Sequence, residues 1–223
     1  MDLLKLHLYA KSKKGGGSGG GGAEGETDQL AAIVDGSITV LNDNKITSLR
    51  SFACSCCENL ESVNLSAITV LGANAFANCP KLTEVRLQEV VELGEYVFSM
   101  DGALTQTAFP KVTTVYNFAF NNSGVEILDF PSLTQIYPAS FSSAKKLSTL
   151  LLRNEETVCV LRGTAAFNGT PIAKGTGYIY VPAALLDQYA AATNWSDFGA
   201  QFRALEDFTV DGTITGALDE SKI

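Results

Sequence analysis

Histidine occurs once in the 223 residues, at His7, ahead of a glycine-rich stretch. Histidine-based acid–base or nucleophilic catalysis needs an imidazole held rigidly beside its partner. That chemistry is therefore excluded, and no other nucleophile–base pair, paired acid and base, or metal-ligand spacing replaces it. The chain is read as no enzyme, with no cofactor and no metal. Basic residues are also few: 16 Lys and Arg stand against 24 Asp and Glu, for a net charge of -8. Phosphate recognition rests on clustered cations, so nucleic acid is not expected as a partner. No apolar run reaches the roughly 18 residues of a membrane span, so no membrane insertion is expected. The first nine residues, with Asp2 and a short apolar run, do not read as a secretory signal. The glycine run at 15–22 lacks the Gly-Lys-Ser/Thr ending of a phosphate loop.

The five cysteines (Cys54, Cys56, Cys57, Cys79, Cys159) lack paired Cys-x-x-Cys spacing and form an odd set. A disulfide-stapled mini-fold or zinc site is not indicated. The reading is of buried thiols filling small apolar gaps. A Cys57–Cys79 disulfide is geometrically conceivable, because the two occupy equivalent positions one repeat apart; thiols are the preferred state. Asn-x-Ser/Thr triplets at Asn64, Asn121, Asn168 and Asn194 are assigned no function.

What the chain does have is a repeat. The unit Leu-x-x-Val-x-Leu recurs as Leu60-Val63-Leu65, Leu82-Val85-Leu87, Leu104-Thr107-Phe109, Val125-Leu128-Phe130 and Leu147-Leu150-Leu152. The first four are followed by apolar residues three and six positions on and by a small–aromatic pair: Ala75-Phe76, Val97-Phe98, Ala119-Phe120, Ser140-Phe141. An earlier half-unit, Ile46, Leu49 and Ala53-Cys54, puts Cys54 where the others put Phe. The anchors step by 22, 22, 22 and 21 residues, and a longer step of 26 reaches Ala166-Phe167. A unit of about 22 residues with one apolar edge cannot close a core alone, so neighbours must stack.

The fold class expected is therefore a repeat solenoid, with one parallel sheet of about six short strands and a C-terminal helical cap. The wording Ala75-Phe76-Ala-Asn-Cys79-Pro-Lys-Leu82 resembles the BspA-type leucine-rich repeat, over roughly residues 46–205. The Val181-Pro182 … Tyr189 … Asn194-Trp195-Ser196 string is similar to that family's C-terminal caps. Pro182 suits the first turn of a helix carrying Leu185 and Tyr189. Ser196 reads as the N-cap of a second short helix with Phe198, Phe202 and Leu205. Asp211-Gly212 between β-prone residues reads as a hairpin. The organisation expected is a strand-like arm at 1–10, a flexible linker at 11–25, the capped solenoid at 26–181, a helical cap at 182–206 and a hairpin or tail at 207–223.

Glu61, Asn64, Glu84, Arg86, Gln106, Glu126, Asp129 and Thr149 occupy non-core strand positions and are expected on one exposed sheet face. A solvated face that keeps the sheet soluble accounts for them without any ligand. The family resemblance implies a binding surface for a protein or glycan, in an adhesion or surface module working extracellularly or at a cell surface. The alternative is a structural display protein of a bacteriophage particle, located on the virion. The alternating Leu4, Leu6 and Leu8 of the arm need a partner, either the 208–215 hairpin of the same chain or another protein's sheet edge by strand addition, and in the display reading the arm anchors in an assembly.

Overall fold

The apolar edge of each repeat closes because the chain turns once per unit and sets every inward side chain on its equivalent in the next coil. The computed structural model describes residues 33, 35–37, 39–210 and 213–214. The arm and linker expected at 1–25 and the Asp211-Gly212 turn lie outside the described residues. The first strand of each coil belongs to the main sheet: β1 Val40–Asn42, β3 Ser62–Asn64, β5 Glu84–Arg86, β7 Gln106–Ala108, β9 Ile127–Phe130, β11 Thr149–Leu152 and β13 Tyr178–Val181. All pair in parallel, with Leu41 opposite Val63 and Val63 opposite Val85, so the inward column is unbroken. Two residues per coil return as β2 Ser48–Leu49, β4 Val70–Leu71, β6 Glu92–Leu93, β8 Thr114–Val115, β10 Gln135–Ile136 and β12 Val160–Leu161.

These return strands pair in parallel as well. Strand pairs therefore form on two sides of the solenoid, rather than in one sheet. The main sheet is continuous as β1-β3-β5 and again as β7-β9-β11-β13-β14, where β14 is Phe202–Ala204. Between the two parts the Thr107 hydroxyl, buried where other coils carry Val, Leu or Ile, donates to the Val85 carbonyl at 3.2 Å. The first coil begins earlier than the repeat reading placed it: Leu41 fills the core a full unit ahead of Val63.

The anchors make one aromatic column. Phe76, Phe98, Phe120, Phe141 and Phe167 are fully buried, with successive ring centroids 5.4–5.8 Å apart. Trp195 closes the column at 5.9 Å from Phe167. From Cys54 to Phe141, each anchor is flanked by one residue at positive φ two positions before it and one two positions after, among them Phe52, Tyr96, Phe118 and Met100. Left-handed backbone costs L-residues about 1–2 kcal/mol. What opposes that cost is inter-coil hydrogen bonding: the N–H groups of Phe52, Cys54 and Cys56 donate to the carbonyls of Ala73, Ala75 and Ala77, and later coils repeat the pattern.

At the far end the cap supplies side chains to the free edge of β12. Tyr189 Oη accepts from the Cys159 N–H at 3.0 Å, Asn194 donates to Leu161 O at 2.7 Å, and the Trp195 indole N–H donates to Cys159 O. Helix α1, Leu186–Ala191, carries Tyr189 on its buried side. The second cap helix differs from expectation. Ser196–Gln201 is a 3-10 segment entered from Trp195 with no side-chain cap, and Phe202 starts a strand that pairs with β13. Pairing there satisfies an otherwise open sheet edge, and it seats Phe202 against Tyr189 and Trp195, so the local helical spacing is overridden. Thr209–Val210 and Thr213–Ile214 form an antiparallel pair, β15 and β16.

Candidate functional site

In-strand alternation turns two columns of side chains out of the main sheet. One runs Val40, Ser62, Glu84, Gln106, Ile127, Thr149, Tyr178; the other runs Asn42, Asn64, Arg86, Ala108, Asp129, Leu151, Tyr180. The face changes character along its length. Over the first three coils it is polar apart from the exposed Val40, and Arg86 Nε pairs with Glu84 Oε1 at 2.6 Å, their side chains 35% and 42% exposed. From Ala108 onward it is largely apolar, and the chain's own C-terminal segment lies on it. Phe208, 3% exposed, packs edge-on to Tyr180 at 5.0 Å, and Leu151 beneath is fully buried although it points outward.

Asn64, Glu84, Arg86 and Gln106 are brought together on the open part of this face, half-buried along their strands. Glu61 and Glu126 each stand one residue before their strands, outside the two columns, and Glu126 pairs with Lys146 at 3.2 Å. Thr149 is half-buried within the part that carries the segment. Asp129 departs from the exposed position expected of it. It is 4% exposed, and both its carboxylate oxygens accept from Arg153 Nε at 2.8 and 2.9 Å. Burial raises its carboxyl above the usual range, and the Arg153 guanidinium opposes the rise. Arg153 lies in the lengthened loop of the 26-residue step, so nothing in the regular repeat marks it as a partner. Asn42 and Ser62 join the open columns without having been singled out; the run Thr39-Val40-Leu41 was the signal for Asn42, and the position before Val63 in Leu60-x-x-Val63 the signal for Ser62.

A second outward surface was also unmarked. Tyr96 stacks on Phe118 at 4.9 Å, Tyr116 lies 4.8 Å from Tyr137, and the Arg162 guanidinium sits 5.0 Å over Tyr137 while donating to Gln135. All four rings are half-buried beside the return strands. Their equal 21- or 22-residue spacing was visible in the sequence.

Inside, the position three residues after each anchor forms another column: Cys57, Cys79, Asp101, Ser123, Ala144, Thr170, every one buried. All five cysteines are free thiols. Among the described residues no group of three His, Cys, Asp or Glu is placed to hold a metal, and no helix is long and apolar enough to cross a membrane.

Comparison with known proteins agrees with this architecture. The family described as "BspA type Leucine rich repeat region" matches residues 37–148 with six copies. No curated protein matches the chain. Among solved structures, a leucine rich cell surface protein from Faecalibacterium prausnitzii is 25% identical at a TM-score of 0.50, over 53% of this chain and 33% of that one. The Treponema pallidum leucine rich repeat protein is 21% identical, TM-score 0.36, over 61% and 52%. A leucine-rich repeat protein from Bacteroides ovatus is 14% identical, TM-score 0.33, over 65% and 55%. The chain thus matches between a third and about half of the length of each of these proteins. Such repeats are generally protein-binding, non-catalytic scaffolds. With a family match over half of its residues and the same repeat seen as stacked coils, the protein belongs to the BspA-type leucine-rich-repeat family.

Proposed function

We propose that the protein is a non-catalytic recognition module that binds a protein or glycan ligand through the open half of its main sheet face, extracellularly or at a cell surface. The observation that carries this reading is the division of that face. The apolar half is occupied by the segment reaching Phe208, while Asn42, Ser62, Asn64, Glu84, Arg86 and Gln106 stand in two straight polar columns on coils one to four. On neighbouring strands about 4.8 Å apart, one column sets the Ser62 hydroxyl beside the Glu84 carboxylate and the other sets the Asn42 and Asn64 amides beside the Arg86 guanidinium, a spacing that suits hydroxyl-rich sugars or the backbone of a peptide. The Faecalibacterium neighbour, described as a cell surface protein, supports the location by analogy.

The experiment is interferometry of the full chain against a panel of host-type glycans and extracellular-matrix proteins, beside the double variant Glu84→Lys/Arg86→Glu. The reading expects at least one binder, with affinity falling tenfold or more in the variant and unchanged in Asp187→Lys on the cap helix. Equal binding by wild type and the double variant contradicts it, as does binding to neither class.

A further inference from the structure

Three of the five thiols meet in the core at the first two coils. Cys54, Cys57 and Cys79 are 0%, 2% and 0% exposed. The Cys79 thiol donates to the Cys54 carbonyl at 3.1 Å, so its sulfur leans toward the coil that carries Cys57. The neighbouring Cys54 and Cys79 thiols draw the Cys57 thiol below the other two, which Cys57 and burial push up. The remaining thiols stand apart. Cys56 is half-buried, its sulfur met by Ser55 Oγ and Asn78 Nδ2 at 3.6 Å. Cys159 is at the opposite end of the solenoid, beside Tyr189 and Trp195.

We propose that Cys57 and Cys79 form a thiol–disulfide site that closes a covalent bridge between the first two coils when a small-molecule disulfide is the oxidant. The stacking supplies the geometry. The two residues occupy the same interior column in adjacent coils, whose strands are in register through Leu41 and Val63, with Val63 in turn on Val85. Parallel neighbours about 4.8 Å apart fall inside the roughly 4.4–6.8 Å Cα range of a disulfide. A Cys54–Cys57 bridge is disfavoured, because the tight arc between those residues is pinned by the Cys54 and Cys56 N–H groups to the next coil, both at 2.8 Å.

The chemistry is two exchanges. The Cys57 thiolate attacks one sulfur of the oxidised small molecule, breaking its S–S bond and releasing one thiolate. The Cys79 thiol then attacks Cys57 Sγ, passing its proton to the second thiolate as that thiolate is displaced. Two protein thiols lose two electrons, the oxidant is reduced to two thiols, and the protons of Cys57 and Cys79 go to them. The bridge would hold the terminal coil to its neighbour, where a solenoid has contacts on one side only and opens first. Oxidising surroundings such as a cell surface are where such a bond persists, and the site does not depend on the ligand reading.

The test is incubation of the full native chain with excess oxidised glutathione, followed by alkylation in denaturant, intact mass and peptide mapping. The expected result is alkylation of three of the five thiols, a fragment linking residues 57 and 79, and a melting midpoint raised by roughly 5–10 °C. Cys79→Ser should instead leave a glutathione adduct on Cys57, whereas Cys56→Ser and Cys159→Ser keep the bridge. Five alkylated thiols after oxidation, an adduct confined to Cys56, or a Cys54–Cys57 link overturns the proposal.

Discussion

Replacing Asp101 by asparagine should change how stability depends on pH. The side chain is fully buried in the interior column that otherwise holds Cys, Ser, Ala and Thr. One oxygen accepts the Cys79 N–H at 2.7 Å, and the other is buried with no hydrogen-bond partner. Burial pushes the carboxyl well above its ordinary 3.8, only partly offset by the Cys79 N–H. The folded protein therefore keeps a proton that the unfolded chain gives up near pH 4. Stability from this group is fully present below the unfolded pKa and is lost as pH rises through the raised folded pKa, at up to about 1.4 kcal/mol per pH unit. Asp129, also raised, acts in the same direction, and so does relief of the net charge of -8. The difference between wild type and Asp101→Asn removes both. Asparagine keeps an oxygen for the Cys79 N–H but leaves an amide N–H₂ unpaired, a cost of about 1–3 kcal/mol. The variant should thus be less stable at acid pH and lose less stability as pH rises. The assay is urea unfolding followed by circular dichroism between about pH 4.5 and about pH 8. Equal slopes, or a wild type that gains on the variant as pH rises, would refute the argument.

Other perturbations address other parts of the structure. Phe120→Ala empties the middle of the aromatic column between Phe98 and Phe141 and should cost about 3–5 kcal/mol in denaturant unfolding. Trp195→Phe leaves the Cys159 carbonyl without its indole donor; a loss of about 1–3 kcal/mol should appear in hydrogen exchange as faster exchange at Val160 and Leu161 than at Val63. Met100, 52% exposed with φ 66°, should gain about 1 kcal/mol on conversion to Asn, which tolerates left-handed backbone, read as a higher urea midpoint. A chain starting at residue 26 should run as a monomer in light scattering. A full-length oligomer that is lost on this truncation would assign residues 1–10 to assembly.

The solenoid was legible because its energetics are periodic. Each apolar residue of Leu60-x-x-Val63-x-Leu65 must meet its equivalent 22 residues on, and the observed register of Val63 on Val85 restates that spacing. What escaped notice is what period alone does not encode. Leu151 and Asp129 sit at outward positions by alternation, yet they are buried because a segment more than 50 residues later returns over Leu151 and an arginine from an irregular loop reaches Asp129. Phe202 reads as helical from neighbours such as Phe198 and Leu205, but a free sheet edge, visible only in three dimensions, draws it into a strand. The two-residue return strands are too short for any alternation to mark them. Glu84 and Arg86 stand at the outward positions that alternation assigns them, whereas Asn42 was passed over because the first coil was read as starting at Ile46.

The most direct test of the binding-face account is a hydrogen-exchange footprint of the full chain with whichever glycan or matrix protein of the panel binds it most tightly. The account predicts slowed exchange at Val40–Asn42, Ser62–Asn64, Glu84–Arg86 and Gln106, with no change at Thr114–Val115 and Gln135–Ile136 beside the tyrosine pair. Protection confined to those return strands, with the main sheet unchanged, would contradict it.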